Sequence, residues 1–501
     1  MRSISCLLKL LILVLLLAGC TSRGETLQAD QPDRKPPSGR TDDCALNEAL
    51  GSACVCGGSV YGSGFCCEEG YSFSACGTVA RYVRPGGAGS KDGSDWGNAF
   101  DGLPSTLERD TVYWLAAGRY GGYTFDDAAS GQKGITLRKA VDQAHGTDAG
   151  WNAAYGSGQA TFGPLRFEGN RYTLDGGEPN GLKAIGTMGT EETVDVDGSH
   201  IVLRHVEIDG GLRKSNGTQT AGGCNGSNVS GDYVVFDRCE IHNIADDGLG
   251  IYSADHVKVL RSKIHDLHAC GTDSSCSGPC YNGHSDGLEL SNISDIELIG
   301  NLVYDVRSTA AIFMDNWSNT KVRNLVAYNN VLYTPDSGFA VYLNALQGAK
   351  IHNNIIWGRT RGNRYGGLAV GQDVSDLAMY NNIILNINYS HMGANYDPTH
   401  HDLDYNLFGM INSGEYTAKA NDLIANPQFA GIPMSADEAD HKGSDLTLED
   451  FIPAAPEAID TGTVSGSVPV CDIMGQPRPQ GTAVDRGVFE KPPTDLGKTH
   501  D

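Results

Sequence analysis

Between residues 233 and 390 one strand pattern recurs. Each pass opens on a small, mostly polar residue followed by apolar ones, at Cys239, Ser262, Asn301, Asn330, Asn354 and Asn382. The steps between these positions are 23, 39, 29, 24 and 28 residues. A period in the twenties, with alternating apolar positions and no helical spacing, predicts a stacked β-solenoid, because each turn of chain buries its apolar face only against its neighbours. Such a stack presents a long ridged flank on which an extended polymer can lie.

The coils are traced by strand segments at 134–141, 165–177, 200–211, 232–244, 256–267, 295–306, 321–333, 349–358 and 377–387. Second strands lie between them at 247–252, 286–291, 310–315, 337–342 and 366–371, so a coil carries at least two. Alternation sorts the faces of these second strands. Leu249/Ile251, Leu288/Leu290, Ile312/Met314, Phe339/Val341 and Leu368/Val370 point inward; Gly250/Tyr252, Glu289/Ser291, Phe313/Asp315, Ala340/Tyr342 and Ala369/Gly371 point outward. The Asn positions read as corner residues that tolerate the left-handed conformation and bond the next coil. A further column, His242, His265, Tyr304, Tyr333, Trp357 and Leu385, fits either of two roles: stacking on sugar rings or packing between coils.

The chain ends belong to other regions. Arg2 and Lys9 flank the start of a short apolar run, Leu10–Leu17, and Leu17-Ala18-Gly19-Cys20 follows it. A run this short with small residues at its end reads as an export signal, not a membrane span. Residues 20–43 are polar and proline-containing, a flexible tether. Cys44, Cys54, Cys56, Cys66, Cys67 and Cys76 crowd residues 44–79, which predicts a small disulfide knot, with zinc as the rival reading. Residues 80–490 form the solenoid with its caps, and 491–501 a tail. Leu17–Cys20 resembles the lipobox of bacterial lipoproteins, which implies removal of residues 1–19, a lipid on Cys20 and anchoring at the outer membrane, facing the periplasm or the cell surface.

A net charge of −24 argues against nucleic acid, which needs a basic footprint. It also means that a polyanionic substrate requires a local positive charge or a cation. Residues 242–316 are the richest in chemistry. The long step contains an insertion with Cys270, Cys276 and Cys280, expected to be stapled by disulfides with Cys224 as a candidate fourth partner. Two Asp-Gly pairs, Asp247-Gly248 and Asp286-Gly287, occupy matching places in neighbouring coils. Carboxylates stacked this closely repel unless they share a proton or a cation, and hard oxygen ligands suit Ca²⁺. Asp246, Asp247, Asp286, Glu289 and Asp315 are the candidate Ca²⁺ ligands, although Asp-Gly is also ordinary turn chemistry.

The segment 82–122 and the closing segments 426–429, 458–462, 472–481 and 485–490 resemble the two ends of bacterial right-handed parallel β-helix proteins, the pectate-lyase-like superfamily. The resemblance implies an all-β, right-handed parallel β-helix whose amino-terminal end is capped by a short helix. That fold hosts lyases, hydrolases, epimerases and adhesins. In an acidic-polysaccharide lyase or a C5-epimerase, the uronate carboxylate is neutralised and a base removes the α-proton. His242, His265, His268, His284 and Tyr342 are the candidate bases, and Arg307 a candidate neutralising or binding residue. Tyr304, Tyr333 and Trp357, with the basic loop Arg359, Arg361 and Arg364, are candidate substrate contacts. The paired Asp segments loosely resemble polygalacturonases, but the Gly-His-Gly and Arg-Ile-Lys elements of that family are missing. A glycoside hydrolase and a non-catalytic carbohydrate-binding lipoprotein therefore stand as alternatives, and the chain is expected to be monomeric.

Overall fold

Three strands per coil, one more than the minimum read from the pattern, stack into three parallel sheets of thirteen, twelve and nine strands. The computed structural model describes residues 55–56, 59–60, 79–177, 180–187, 191–211, 213–215, 218–220, 224–267, 284–314, 320–334, 338–358, 366–371, 373–385, 401–409, 418–432, 446–464 and 468–491. Sheet I takes the first strand of each coil, as in Val234–Asp237, Lys258–Leu260 and Glu297–Ile299. Sheet II takes the second, as in Glu240–Ile244, Lys263–Leu267 and Leu302–Tyr304. Sheet III takes the third: Leu249–Tyr252, Asp286–Ser291, Ala310–Met314, Phe339–Leu343 and Leu368–Val370.

The inner faces meet in one continuous core that includes Phe236, Ile241, Leu249, Ile251, Leu288, Leu290, Ile312, Met314, Val341, Leu368 and Val370, as alternation predicts. One strand departs from that reading. Phe339 pairs in register with Ala310, and Val341 with Ile312, so Val341 and Leu343 are the inward residues. Phe339 instead joins Phe313 and Tyr342 on the outer face, because Ala340, expected to point outward, and Val341 both enter the core and alternation breaks between them.

The recurring polar position is an internal ladder. Ser262 N–H donates to Asn301 Oδ1 at 2.9 Å, Asn301 N–H to Asn330 Oδ1 at 3.0 Å, Asn330 N–H to Asn354 Oδ1 at 2.9 Å and Asn354 N–H to Asn382 Oδ1 at 3.0 Å. The left-handed conformation belongs to the residue before: Gly300, Asn329, Asn353 and Asn381 have φ between 53° and 69°. Corner strain and ladder bonding, expected of one Asn, are thus divided between two neighbours. Cys239 occupies the first rung, its N–H donating to Ser262 Oγ at 3.1 Å, and it remains a free, buried thiol. Cys224 and Cys471 are disulfide-bonded.

The carboxy-terminal segment covers a flank. Phe429, Phe451, Val488 and Phe489 pack on the outer face of sheet II against Tyr304, Tyr333, Trp357 and Leu385. Tyr304, Tyr333 and Trp357 are 2%, 1% and 1% exposed, so they are packing residues and do not meet a sugar. At the amino-terminal end the expected capping helix is a single 3₁₀ turn, Trp96–Asn98, with Trp96 against Tyr82 and Trp151. Of the disulfide-rich region, only the backbone of a two-stranded ribbon, Val55–Cys56 with Ser59–Val60, lies within the described residues. Cys20, the side chains of Cys44, Cys54, Cys56, Cys66, Cys67 and Cys76, and Cys270, Cys276 and Cys280 lie outside them.

Candidate active site

With the later strands of sheet II covered, the outer face of sheet III and the corner leading into it are where the acidic residues of the expected site gather. In one coil that corner is Ala245–Gly248; in the next it ends at His284 and Ser285, ahead of the strand that opens with Asp286. The glycines of the two Asp-Gly pairs are required by packing, not by backbone angle. A Cβ on Gly248 would lie 2.7 Å from Gly287 O and 2.8 Å from Ile264 Cγ2; one on Gly287 would lie 2.5 Å from Ala311 O. The chain therefore hugs the core at each glycine and turns the preceding carboxylate outward.

Asp246, Asp247, Asp286 and Glu289 converge there, all at least nine-tenths buried. His284 Nδ1 lies 3.2 Å from Asp246 Oδ1 and 3.7 Å from Asp247 Oδ1, while its Nε2 is 4.0 Å from Asp286 Oδ2. Asp247 Oδ1 accepts the Asp286 N–H at 2.8 Å, and Tyr252 donates its hydroxyl to Glu289 Oε2 at 2.7 Å. Tyr252 reaches Glu289 by lying across Gly250, where a Cβ would fall 2.5 Å from its ring. Asp286 is 0% exposed, and among the described residues neither of its carboxylate oxygens accepts a hydrogen bond of normal geometry.

Burial pushes Asp286 well above the usual carboxylate range; the His284 charge and the Ala310 amide offset this in part, against Glu289 and Asp246. Burial also pushes Asp247 up, reinforced by Asp286, Asp246 and Glu289. The Asp246 hydrogen bond, with the surrounding negative charge, lifts His284 to about 9 despite its desolvation. Two groups of atoms, from Asp246, Asp247 and His284 and from His284, Asp286 and Glu289, each lie within 4.8 Å of one another, spacing suited to a cation. A third group, Glu207, Asp209 and His242, is spaced alike, but Lys183 Nζ already sits 2.5 Å from Glu207 and 2.8 Å from Asp209.

The other expected site residues divide. His242 and His265 project from sheet II, stacked with centroids 5.2 Å apart. His242 lies 3.1 Å from Glu207; His265 is held between Glu240 at 3.2 Å and Asp266 at 2.8 Å and stacks on Tyr304, so both serve a polar ladder away from the carboxylate cluster. Arg307 directs Nε and Nη2 to the two oxygens of Asp305, at 2.8 and 3.0 Å. Tyr342 stacks on Phe313 at 5.1 Å, and Phe313 is in register with Glu289. Two strand steps, about 10 Å, therefore separate Tyr342 from Glu289, too far for it to act as base beside Asp286. His268, Asp315, Arg359, Arg361 and Arg364 lie outside the described residues. Tyr252, Phe313 and Phe339 were not anticipated in the site; their outward register was the available sign for the first two.

Residues 192–384 match the family model described as the right handed beta helix region. No curated protein matches the chain. Among solved structures, pectate lyase Pel9A superposes with a TM-score of 0.52 at 17% identity, covering 83% of this chain and 97% of its own. A rhamnogalacturonan lyase gives 0.40 at 12% identity, covering 75% and 95%. With its three parallel sheets and this match over the central coils, the chain folds as a right-handed parallel β-helix.

Proposed function

We propose that this protein is a carbohydrate-active enzyme that cleaves an acidic polysaccharide by β-elimination at the carboxylate cluster of sheet III. The observation that carries this reading is Asp286, a fully buried carboxylate with two unpartnered oxygens among Asp246, Asp247 and Glu289. Burying an unsatisfied charge is costly, so such a group persists when a ligand or proton completes it. Asp246, Asp247, Asp286 and Glu289 are the residues that would hold Ca²⁺. When bound, Ca²⁺ neutralises the uronate carboxylate and so favours a carbanion-like transition state.

His284 is the acid–base residue. Its side chain is one-third exposed, its Nδ1 is oriented by Asp246, and among the described residues its Nε2 has no acceptor closer than 4.0 Å, leaving that nitrogen to exchange a proton with the sugar. Phe313 and Tyr342, backed by the buried Phe339, form an aromatic surface beside the cluster on the same face, suited to an apolar sugar face. Convergence of acid–base groups supports an enzyme over a display protein. The lipobox at Cys20 supports anchoring at the outer membrane, where such polymers are met. A hydrolytic reading draws on the raised Asp247 and Asp286, either of which can hold the proton a general acid donates.

The test incubates the protein with uronate polymers, with Ca²⁺ and with chelator, following ultraviolet absorbance and reducing ends together. A Ca²⁺-dependent absorbance rise, abolished by Asp286→Asn and by His284→Ala, is expected. Reducing ends without absorbance would establish hydrolysis instead; neither signal on any polymer would refute cleavage.

A further inference from the structure

The corner that carries the carboxylate cluster runs the length of the solenoid, and a cavity opens at its amino-terminal end. There the corner is Tyr120–Gly122, joining the strand Gly118–Arg119, at the end of sheet II, to Tyr123–Phe125, at the end of sheet III. The cavity, about 290 Å³, is lined by Asp101, Arg119, Tyr120, Gly121, Tyr123 and Phe162 among others. Tyr120 and Phe162 stack at 4.8 Å, and Tyr123 is fixed by donating its hydroxyl to Pro104 O at 2.6 Å. The aromatic wall is therefore preformed, with Phe162 buried and Tyr120 and Tyr123 partly exposed. Arg119 is exposed.

Among the described residues the cavity has one carboxylate, Asp101, already engaged by Lys91 Nζ at 2.9 Å and the Gly86 N–H at 2.7 Å. Arg119 thus gives the cavity an available positive charge on a chain whose net charge is −24. Gly121 has neither a left-handed φ nor crowding: a Cβ there would meet nothing within 4 Å. Neither backbone angle nor packing requires glycine at that position, and the missing side chain keeps the mouth open. A guanidinium beside fixed aromatic rings is the chemistry that recognises a carboxylate-bearing sugar.

We propose that this cavity is a distal subsite for a uronosyl residue of the same polymer chain that is cleaved at the carboxylate cluster; the inference rests on the substrate class proposed above. Register gives the separation along the solenoid, counted from Thr124, the neighbour of the cavity residue Tyr123. Thr124 pairs with Arg166, Arg166 with Asp195, Asp195 with Asn228, Asn228 with Gly250 and Gly250 with Glu289. Five strand steps of ~4.8 Å place the cavity about 24 Å from the cluster along one sheet, a distance that several sugar rings span and a short oligosaccharide does not. Long chains then engage both ends, and the distal contact acts as a second, linked binding event.

The test compares wild type, Arg119→Ala and Gly121→Val, using a uronate trisaccharide and a uronate polymer as probes in calorimetry and in turnover. Both variants are expected to weaken polymer binding and raise its KM at least about tenfold, Arg119→Ala by the loss of one charge-assisted contact and Gly121→Val by filling the mouth. The trisaccharide KM and kcat stay unchanged, which also reports intact folding. Equal loss on both probes, or no loss on the polymer, overturns the subsite. If no uronate is cleaved but polymer binding still depends on Arg119, the subsite stands and the cleavage reading fails. If polymer neither binds nor is cleaved, both fall.

Discussion

Asp286→Asn is the sharpest probe of the cluster, because it keeps shape and removes charge. In wild type without a cation, a fully buried carboxylate with two unpartnered oxygens is crowded by three others. Leaving a buried charged group unsatisfied costs about 1–3 kcal/mol or more. The Asn amide relieves part of this by donating to a neighbouring carboxylate, so in chelator the variant gains about 1–3 kcal/mol of stability. The sign reverses with the ion. Wild type at a Ca²⁺ concentration one hundred times its dissociation constant gains about 2.7 kcal/mol, and a variant that has lost a central ligand gains little. Urea denaturation of both proteins, with chelator and with Ca²⁺, measures all four values. The variant is expected to be the more stable protein in chelator and inactive throughout. If it is destabilised in chelator, and wild type is indifferent to Ca²⁺, the reasoning from unpartnered oxygens is wrong.

Three further outcomes follow from the same geometry. Gly250→Ala brings a Cβ within 2.5 Å of the Tyr252 ring and displaces it from Glu289. It should lower Ca²⁺ affinity about tenfold, the worth of one hydrogen bond to a charged group, and Tyr252→Phe should do the same; a normal Tyr252→Phe would show the effect to be steric. His352 is 1% exposed, with neither ring nitrogen hydrogen-bonded, and burial lowers it from 6.5 to about 4. Its contribution is fully present above pH 6.5, and as pH falls towards 4 the unfolded chain binds the proton first, costing up to about 3 kcal/mol. His352→Phe keeps the stack on Tyr380 and should hold its urea midpoint across that window while wild type declines; parallel profiles would refute this. Asn354→Ala removes the acceptor of the Asn330 N–H and side-chain amide, both at 2.9 Å, and should destabilise by about 3 kcal/mol in denaturant unfolding; a loss below about 1 kcal/mol would show that the ladder adds little.

The solenoid was legible because its causes are local and repeated. Alternation placed Leu249, Ile251, Leu288 and Leu290 in the core, and the returning polar position marked each corner. The Asp-Gly pairs, with His284 between them in sequence, were visible as a potential site for the same reason: matching places in successive coils are neighbours in space. What periodicity does not encode is which outer face stays open. Tyr304, Tyr333 and Trp357 have the spacing of a sugar-binding row, and only the return of Phe429, Phe451, Val488 and Phe489 over sheet II makes them interior. His242 and His265 likewise share a coil with the carboxylates but stand on another sheet, since the corner at Ala245–Gly248 turns the chain between them. The amino-terminal cavity gave no sign in the sequence, for it is assembled from Asp101, Arg119 and Phe162, drawn from separate stretches of chain. Repetition in the chain determined the stack and its register; long-range packing decided which ridges became surface, because burial is a property of everything that folds back upon a residue.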